Sequence, residues 1–505
     1  MFRSSSSSNN SPLVADFFHG KSIFITGTSG FVGGLILEDL LRCCPGIKSI
    51  YILLRHKKND NPDSRKEEIL KKKIFNKIKE ENPEVLEKVH VVAGDIAQPN
   101  MGLNEEDMSR IIEEVSIVFS CAASISFFKP CRFLVSQNTL SLKYMIELCR
   151  QLKQLDVLVY TSTAFSNSNR AVTMKKMPEE VIRLPFPAQK FIDALKSENE
   201  KAFDQLVEEC KPEWPNWYIF SKCMSENFIV ENASDMPIAI VRPSIIYSAW
   251  KTPIPGYVEG DFGLTALFTG GSQGFIKIFL GDPEARLNMI PVDVVANTHL
   301  IAAWSVGTAR VPAPLIVNCA SNEYLNVQNQ TVADCTIILT EKNPVPRSFQ
   351  VVKSAFFIRN YILYSLLVFY EHYLPAYVLD LAAKFTGKKP RMVKLYHFID
   401  KISNSLVYFT THSLSFDRNN FLRLNSLLHP DDKKVLNIDT EELTFRDLVK
   451  SLPEGAVFYD WTKDKKTPQS RLKSMKQTYW TIQVIKGVFL MLCCFLFYSI
   501  FSLVW

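Results

Sequence analysis

Short apolar runs of four to six residues recur along the first half of the chain, each bounded by glycine, proline or polar residues. They predict strands over Ser22–Thr26, Ser49–Leu54, Val89–Ala93, Ile117–Ser120, Val157–Thr161 and Ile238–Val241. Between them lie segments with helical spacing, such as "FVGGLILEDLLRCC", which stops at a proline–glycine pair, and "NTLSLKYMIELCRQLKQ". Strand–helix alternation at this spacing predicts an α/β fold with a doubly wound parallel sheet. Two polar stretches interrupt it. Asn59–Lys88 reads as a solvated helical insertion, and Arg170–Trp217, rich in Pro, Glu and Lys, as a second one. Around Val311–Pro344 the α/β pattern fades, and a mostly helical region follows. Within that region "NYILYSLLVFYEHYLPAYVLDL" reaches Glu371 after about 11 residues, too few to span a bilayer. Both a buried helix and an interfacial helix fit it, and burial is the favoured expectation.

The last 18 residues, Val488–Trp505, carry no charge. At about 1.5 Å per residue they reach roughly 27 Å, close to the thickness of a hydrocarbon layer. Trp480 and Trp505 would mark the two interfaces, and Lys463, Lys465, Lys466, Arg471, Lys473, Lys476 and Lys486 precede the run. This predicts a tail anchor with the bulk of the chain on the cytosolic side. The expected organisation is a disordered arm over residues 1–19, an α/β domain over 20–345, a helical domain over 354–461, a basic linker over 462–486 and a transmembrane helix over 487–505.

Composition narrows the function. The 505 residues carry a net charge of only +6, and no zinc-finger or RNA-binding signature is present, so nucleic acid is not an expected partner. Eleven cysteines occur with no CxxC spacing, and eight histidines with no HExxH, which predicts reduced thiols and no metal.

The first strand runs into "TGTSGFVG", which opens a helix. Gly27 permits a tight turn, Gly30 lets a pyrophosphate approach the backbone, and Gly33 lets helix and strand pack closely. The helix start attracts the anion. Thr26, Thr28, Phe31 and Val32 complete this predicted cofactor loop. The second strand ends in "YILLRHKKN", and no acid lies between Asp39 and Asp60 to hold a ribose 2′-hydroxyl. Arg55 is placed to pair a 2′-phosphate, with Lys57 or Lys58 adding charge, so NADPH is the expected cofactor. Asp95, with Ile96 after it, would face the adenine side.

Three YxxxK matches occur, Tyr218/Lys222, Tyr247/Lys251 and Tyr459/Lys463, so context decides. Only Tyr218 opens a plausible helix, with Lys222 one turn on along the same face. A phenol beside an ammonium can donate its proton to a carbonyl oxygen as hydride arrives. The strand end "LVYTSTAF" supplies a second donor, Thr163 first and Ser162 second.

Taken together, "TGTSGFVG", "YILLR", "GDI", "STAF", "PNWYIFSK" and "IVRPSII" resemble the extended short-chain dehydrogenase/reductases, whose sheet is of Rossmann type. "DFFHGKSIFITG", "VFSCAASISF", "MIPVDVVAN" and "GKKPRMVKLYHFIDKISNSLVYFT" narrow the resemblance to the eukaryotic, insect-type fatty acyl-CoA reductases, which add a helical domain of male-sterility type. The resemblance runs from Asp16 to Trp461. It implies NADPH-dependent reduction of a long-chain acyl-CoA to a primary alcohol in two hydride transfers, with Tyr218 and Lys222 as the catalytic pair. It also implies Thr163 as their partner, Lys222 and Ala122 beside the nicotinamide end of the cofactor, and the endoplasmic reticulum or peroxisomal membrane as the location. A homodimer stays open. Ser120–Cys121 stands where the family has His–Val or His–Cys before the paired alanines, and "TLSLK" follows Asn138 in place of a glycine-containing helix start. Two other readings share these features: a membrane-anchored hydroxysteroid dehydrogenase or sugar-nucleotide epimerase, and a non-catalytic NADPH-binding scaffold.

Overall fold

The computed structural model describes residues 13–504 except 57–60, 171–173, 198–199, 211–213, 260–262, 310–313, 323–324, 343, 345 and 456–466. The expected roles of Lys57, Lys58, Tyr459 and Lys463 therefore fall outside the described residues. The chain forms two compact units. The first takes the residues up to Tyr257, Asn288–Leu325 and Leu414–Leu448, and the second takes Val258–Leu287, Asn326–Ser413 and the residues from Val449 on.

The first unit is built on a seven-stranded sheet. Its strands are β1 (Ser22–Thr26), β2 (Ser49–Leu54), β3 (Val89–Ala93), β4 (Val115–Ser120), β5 (Val157–Thr161), β6 (Ile238–Pro243) and β7 (Leu315–Cys319). They lie in the order β7-β6-β5-β4-β1-β2-β3, and every pairing is parallel. Parallel sheets bury both faces, which is why these strands read as near-continuous apolar runs. One face, with Ile23, Ile25, Ile117 and Val159, packs on helices α1 (Phe31–Cys43) and α3 (Val292–Ala309). The other, with Phe24, Val118, Leu158 and Ile240, packs on α2 (Trp217–Asn232) and its neighbours. The order reverses between β1 and β4, so the ends of those two strands open the crevice where ligands of such sheets bind.

Three expectations need correction. Within Val311–Pro344, where the α/β pattern was expected to fade, Leu315–Cys319 still pairs with β6 and completes the sheet. The strand is short, and the buried Asn318 breaks its apolar run, its amide donating to the carbonyls of Met177 (3.2 Å) and Asp417 (2.9 Å). Residues 14–18, expected within a disordered arm, form a helix with Val14, Phe17 and Phe18 buried. The third concerns the second unit. There α4 (Tyr361–Val368), a π turn at Phe369–Tyr373 and α5 (Leu374–Phe385) form one continuous rod, followed by α6 (Met392–Thr411). The rod was expected to be buried, but one of its long sides is exposed: Ile362, Leu366 and Phe385 are 72%, 64% and 83% exposed. Both its sides are apolar, so no polar stripe marks the outer one in the sequence. The C-terminal apolar run belongs to a 37-residue helix, α7 (Pro468–Val504), long and apolar enough to cross a membrane.

Candidate active site

The glycine turn sits at the crevice. After Thr26, Gly27 takes φ +85°, and Gly30 caps α1 in an extended conformation with no side-chain cap. A Cβ at Gly27 would lie 2.7 Å from the Ala122 nitrogen and 2.9 Å from the Cys121 carbonyl carbon, so β4's end packs directly on the turn. Thr26 adds to this closure by accepting the Ala122 N–H at 3.2 Å. A Cβ at Gly33 would lie 2.7 Å from the Gly27 carbonyl carbon, which is the close helix–strand packing expected of that glycine. The amides of Phe31, Val32 and Gly33 fall in the helix's first turn, where no intrahelical acceptor exists. The Thr28 hydroxyl is buried with no hydrogen-bond partner among the described residues. Bare first-turn amides, a turn without side chains at Gly27 and Gly30, and an orphaned hydroxyl fit the phosphates of a dinucleotide.

At the far end of the crevice, β2 and β3 bring Arg55 and Asp95 together. Their side chains approach to 4.0 Å, with Arg55 61% exposed, and the Asp95 carboxylate also accepts the Ala97 amide at 3.1 Å. Ile96 stands half-buried beside it. The Arg55 carbonyl accepts from the Arg65 guanidinium at 2.6 Å, which fixes the backbone where β2 ends.

Helix α2 starts at Asn216, whose side chain accepts the Ile219 amide at 2.9 Å. Tyr218 is half-buried in the first turn, with the Phe127 ring 5.8 Å from its own. Its hydroxyl has no hydrogen-bond partner among the described residues, and burial raises its pKa. One turn on, Lys222 is buried. Its amine donates to the Thr161 carbonyl (2.7 Å) and the Tyr160 hydroxyl (3.2 Å) at the end of β5. Burial lowers its pKa to about 8 against smaller opposing pulls from Cys121 and Glu226. The ammonium thus stands on the strand end and does not touch the Tyr218 hydroxyl.

The two hydroxyl candidates after β5 differ. Ser162 donates to the Glu226 carboxylate at 2.5 Å, and Glu226 in turn holds the Arg242 guanidinium at 2.7 and 2.8 Å, all of it buried. The Thr163 hydroxyl reaches only the Pro243 carbonyl, at 3.5 Å, while accepting the Phe165 amide at 3.3 Å. Thr163 is therefore the less committed donor.

Sequence reasoning missed three supports. Tyr218, Lys222 and Glu226 form an i, i+4, i+8 ladder, and the charged Arg242 inside an apolar strand was the visible hint of a buried partner. Asn138, in a π turn over Val135–Leu140, accepts the Ser124 amide at 2.8 Å and donates to the Ser221 hydroxyl at 2.9 Å. It therefore ties the segment after β4 to the helix carrying Tyr218. Thr161 links the Cys121 thiol (3.2 Å) to the His299 ring (2.8 Å) across the sheet.

Comparison with known proteins gives a consistent picture. An NAD-binding family profile described as "Male sterility protein" matches residues 25–299, and the "Sterile" profile, described in the same words, matches residues 371–461. Fatty acyl-CoA reductase 1 of Mus musculus is 32% identical over 446 residues, covering 88% of this chain and 86% of the relative. Fatty acyl-CoA reductase 2 of Bos taurus is likewise 32% identical over 448 residues, with the same coverage. Among solved structures, the terminal R domain of the myxalamid PKS-NRPS biosynthetic pathway superposes with a TM-score of 0.55 over 86% of this chain and 90% of that one. At 17% identity that likeness speaks to the fold alone.

Proposed function

The chain belongs to the fatty acyl-CoA reductase family, and from that premise we propose that it reduces a long-chain acyl-CoA to the primary alcohol with NADPH. The observation that carries this is the pairing on α2: a protonated phenol without a hydrogen-bond partner among the described residues, one turn from an amine held at the end of β5 by the Thr161 carbonyl and the Tyr160 hydroxyl. When bound, NADPH supplies hydride to the substrate's carbonyl carbon. The Tyr218 phenol, kept protonated by burial, donates its proton to the carbonyl oxygen, and the Thr163 hydroxyl hydrogen-bonds the same oxygen. The Lys222 ammonium sets the positive field at this end of the crevice. Reduction of the thioester gives a hemithioacetal, which collapses to aldehyde and CoA thiol. A second hydride and proton convert the aldehyde to the alcohol, so each alcohol consumes two NADPH and two protons.

The preference for NADPH over NADH rests on Arg55, exposed at the end of β2 where an acid would serve NAD. The turn from Thr26 to Gly33 would hold the pyrophosphate, Asp95 and Ile96 the adenine side, and Ala122 with Lys222 the nicotinamide side. In this reading α7 anchors the chain in the endoplasmic reticulum membrane, with the catalytic residues cytosolic and the peroxisomal membrane as the alternative. Acyl chains concentrate there, each buried methylene contributing about 0.8 kcal/mol. The test is Tyr218→Phe in the purified full chain. Alcohol formation from acyl-CoA and NADPH should vanish while NADPH still quenches protein fluorescence, and retained turnover would remove Tyr218 from the mechanism.

A further inference from the structure

The rod formed by α4, the π turn and α5 spans 25 residues, Tyr361–Phe385. Tyr364, Val368, His372 and Ala376 point into the second unit and are buried. The opposite side presents Ile362, Leu366, Phe369, Tyr377, Leu381 and Phe385, between 45% and 83% exposed. A soluble surface rarely leaves so long an apolar stripe uncovered.

The rod is long enough to cross a bilayer, but its middle forbids it. Glu371 lies there in a salt bridge with Lys277 at 2.6 Å and in a second with Lys486, and His372 accepts the Lys277 amide at 3.2 Å. A transverse rod would draw these charges into hydrocarbon, whereas a rod lying flat keeps them in the protein and turns only the stripe outward. Two observations identify what covers the stripe. First, it is continuous with α7: Lys486 contacts the rod just before the exposed apolar run, and the Phe369 ring lies 6.3 Å from that of Phe489. Second, the rod's end is basic. Lys384, Lys388, Lys389, Arg391 and Lys394 are all exposed, and none forms an ion pair with a carboxylate among the described residues. Basic side chains are drawn to an anionic leaflet.

We infer that the α4–α5 rod is a second lipid-contacting element, lying in the headgroup–acyl boundary of an anionic leaflet beside the anchoring helix. The inference rests on α7 entering the bilayer, and the experiment separates the two. The full chain is reconstituted into phosphatidylcholine vesicles with or without phosphatidylserine. A photoreactive p-benzoylphenylalanine replaces Leu366, Leu381, Leu492 in α7, or the exposed Glu105 of the first unit. Lipid adducts at 366 and 381 should come within about twofold of those at 492 and exceed those at 105 by about tenfold. With phosphatidylserine present, Lys388→Glu with Lys389→Glu should lower the adduct yield at 381 about fivefold. Lipid adducts at 492 without any at 366 and 381 would overturn the inference and leave the anchor standing. Protein–protein adducts at 366 and 381 would instead assign the stripe to a second copy of the chain. Loss of lipid adducts at all three positions would remove the anchor and the inference together.

Discussion

Raising the pH past 8 should progressively weaken the reaction by taking one proton from Lys222. The amine is 3% exposed, and burial lowers its pKa from 10.5 to about 8. At about 1.4 kcal/mol per pKa unit, that is about 3 kcal/mol of preference for the neutral amine. The Thr161 carbonyl, the Tyr160 hydroxyl and the Glu226 carboxylate favour the ammonium without undoing the desolvation. The sign follows from a lowered basic group: the ammonium prevails below about 8 and is lost as the pH rises through that value, whereas an unperturbed lysine would keep it beyond pH 10. Roughly nine in ten molecules carry the charge at about pH 7 and one in ten at about pH 9, so kcat/KM for NADPH should fall about tenfold across that interval. The assay is NADPH oxidation at limiting NADPH and saturating acyl-CoA, from about pH 6 to about pH 10, in wild type and Lys222→Arg, because kcat/KM then reports the groups of the enzyme form that NADPH meets. The guanidinium does not titrate there, so the residual activity of Lys222→Arg should be flat. A wild-type profile flat to about pH 10, or an alkaline fall that persists in Lys222→Arg, would refute this assignment.

Arg55→Glu should weaken NADPH binding by about 1–3 kcal/mol, roughly fivefold to 150-fold, without weakening NADH binding, read by titration of protein fluorescence. Thr163→Val should lower kcat about a hundredfold or more with little change in melting temperature. Ser162→Ala should do the reverse, with a modest loss of rate and about 1–3 kcal/mol of stability lost, because the Glu226 carboxylate loses its donor. Glu226→Gln should destabilise the first unit by about 3–5 kcal/mol through the buried Arg242 charge it leaves behind, seen as a lower denaturation midpoint.

Much of the sheet was legible because a parallel strand buried on both faces declares itself as an apolar run. β1, β2, β3 and β5 fall on the residues expected, while β4 begins two residues earlier and β6 ends two residues later. The glycine turn was legible because a positive φ and a neighbouring strand end leave Gly27 no room for a side chain. Other features depend on partners that no local window contains. Asn318 looks like a strand breaker until Met177 and Asp417 supply its acceptors, and Glu226 looks like a surface acid until Arg242 arrives from β6. The commitment of Ser162 to Glu226, which distinguishes it from Thr163, has no signature in "TSTAF" itself. The rod's outer stripe was misjudged because apolar residues on every side read as core when nothing in the sequence says which side meets protein.

The fastening of Lys486 to Glu371 determines how force reaches the second unit. Helix α7 is clamped midway, at Lys486, just ahead of its exposed apolar half, and is not a slack thread. In the proposed anchoring of α7, any mismatch between the apolar length beyond Lys486 and the local bilayer thickness would be borne at the clamp, where Lys277 and Glu371 meet, instead of being absorbed by loose chain.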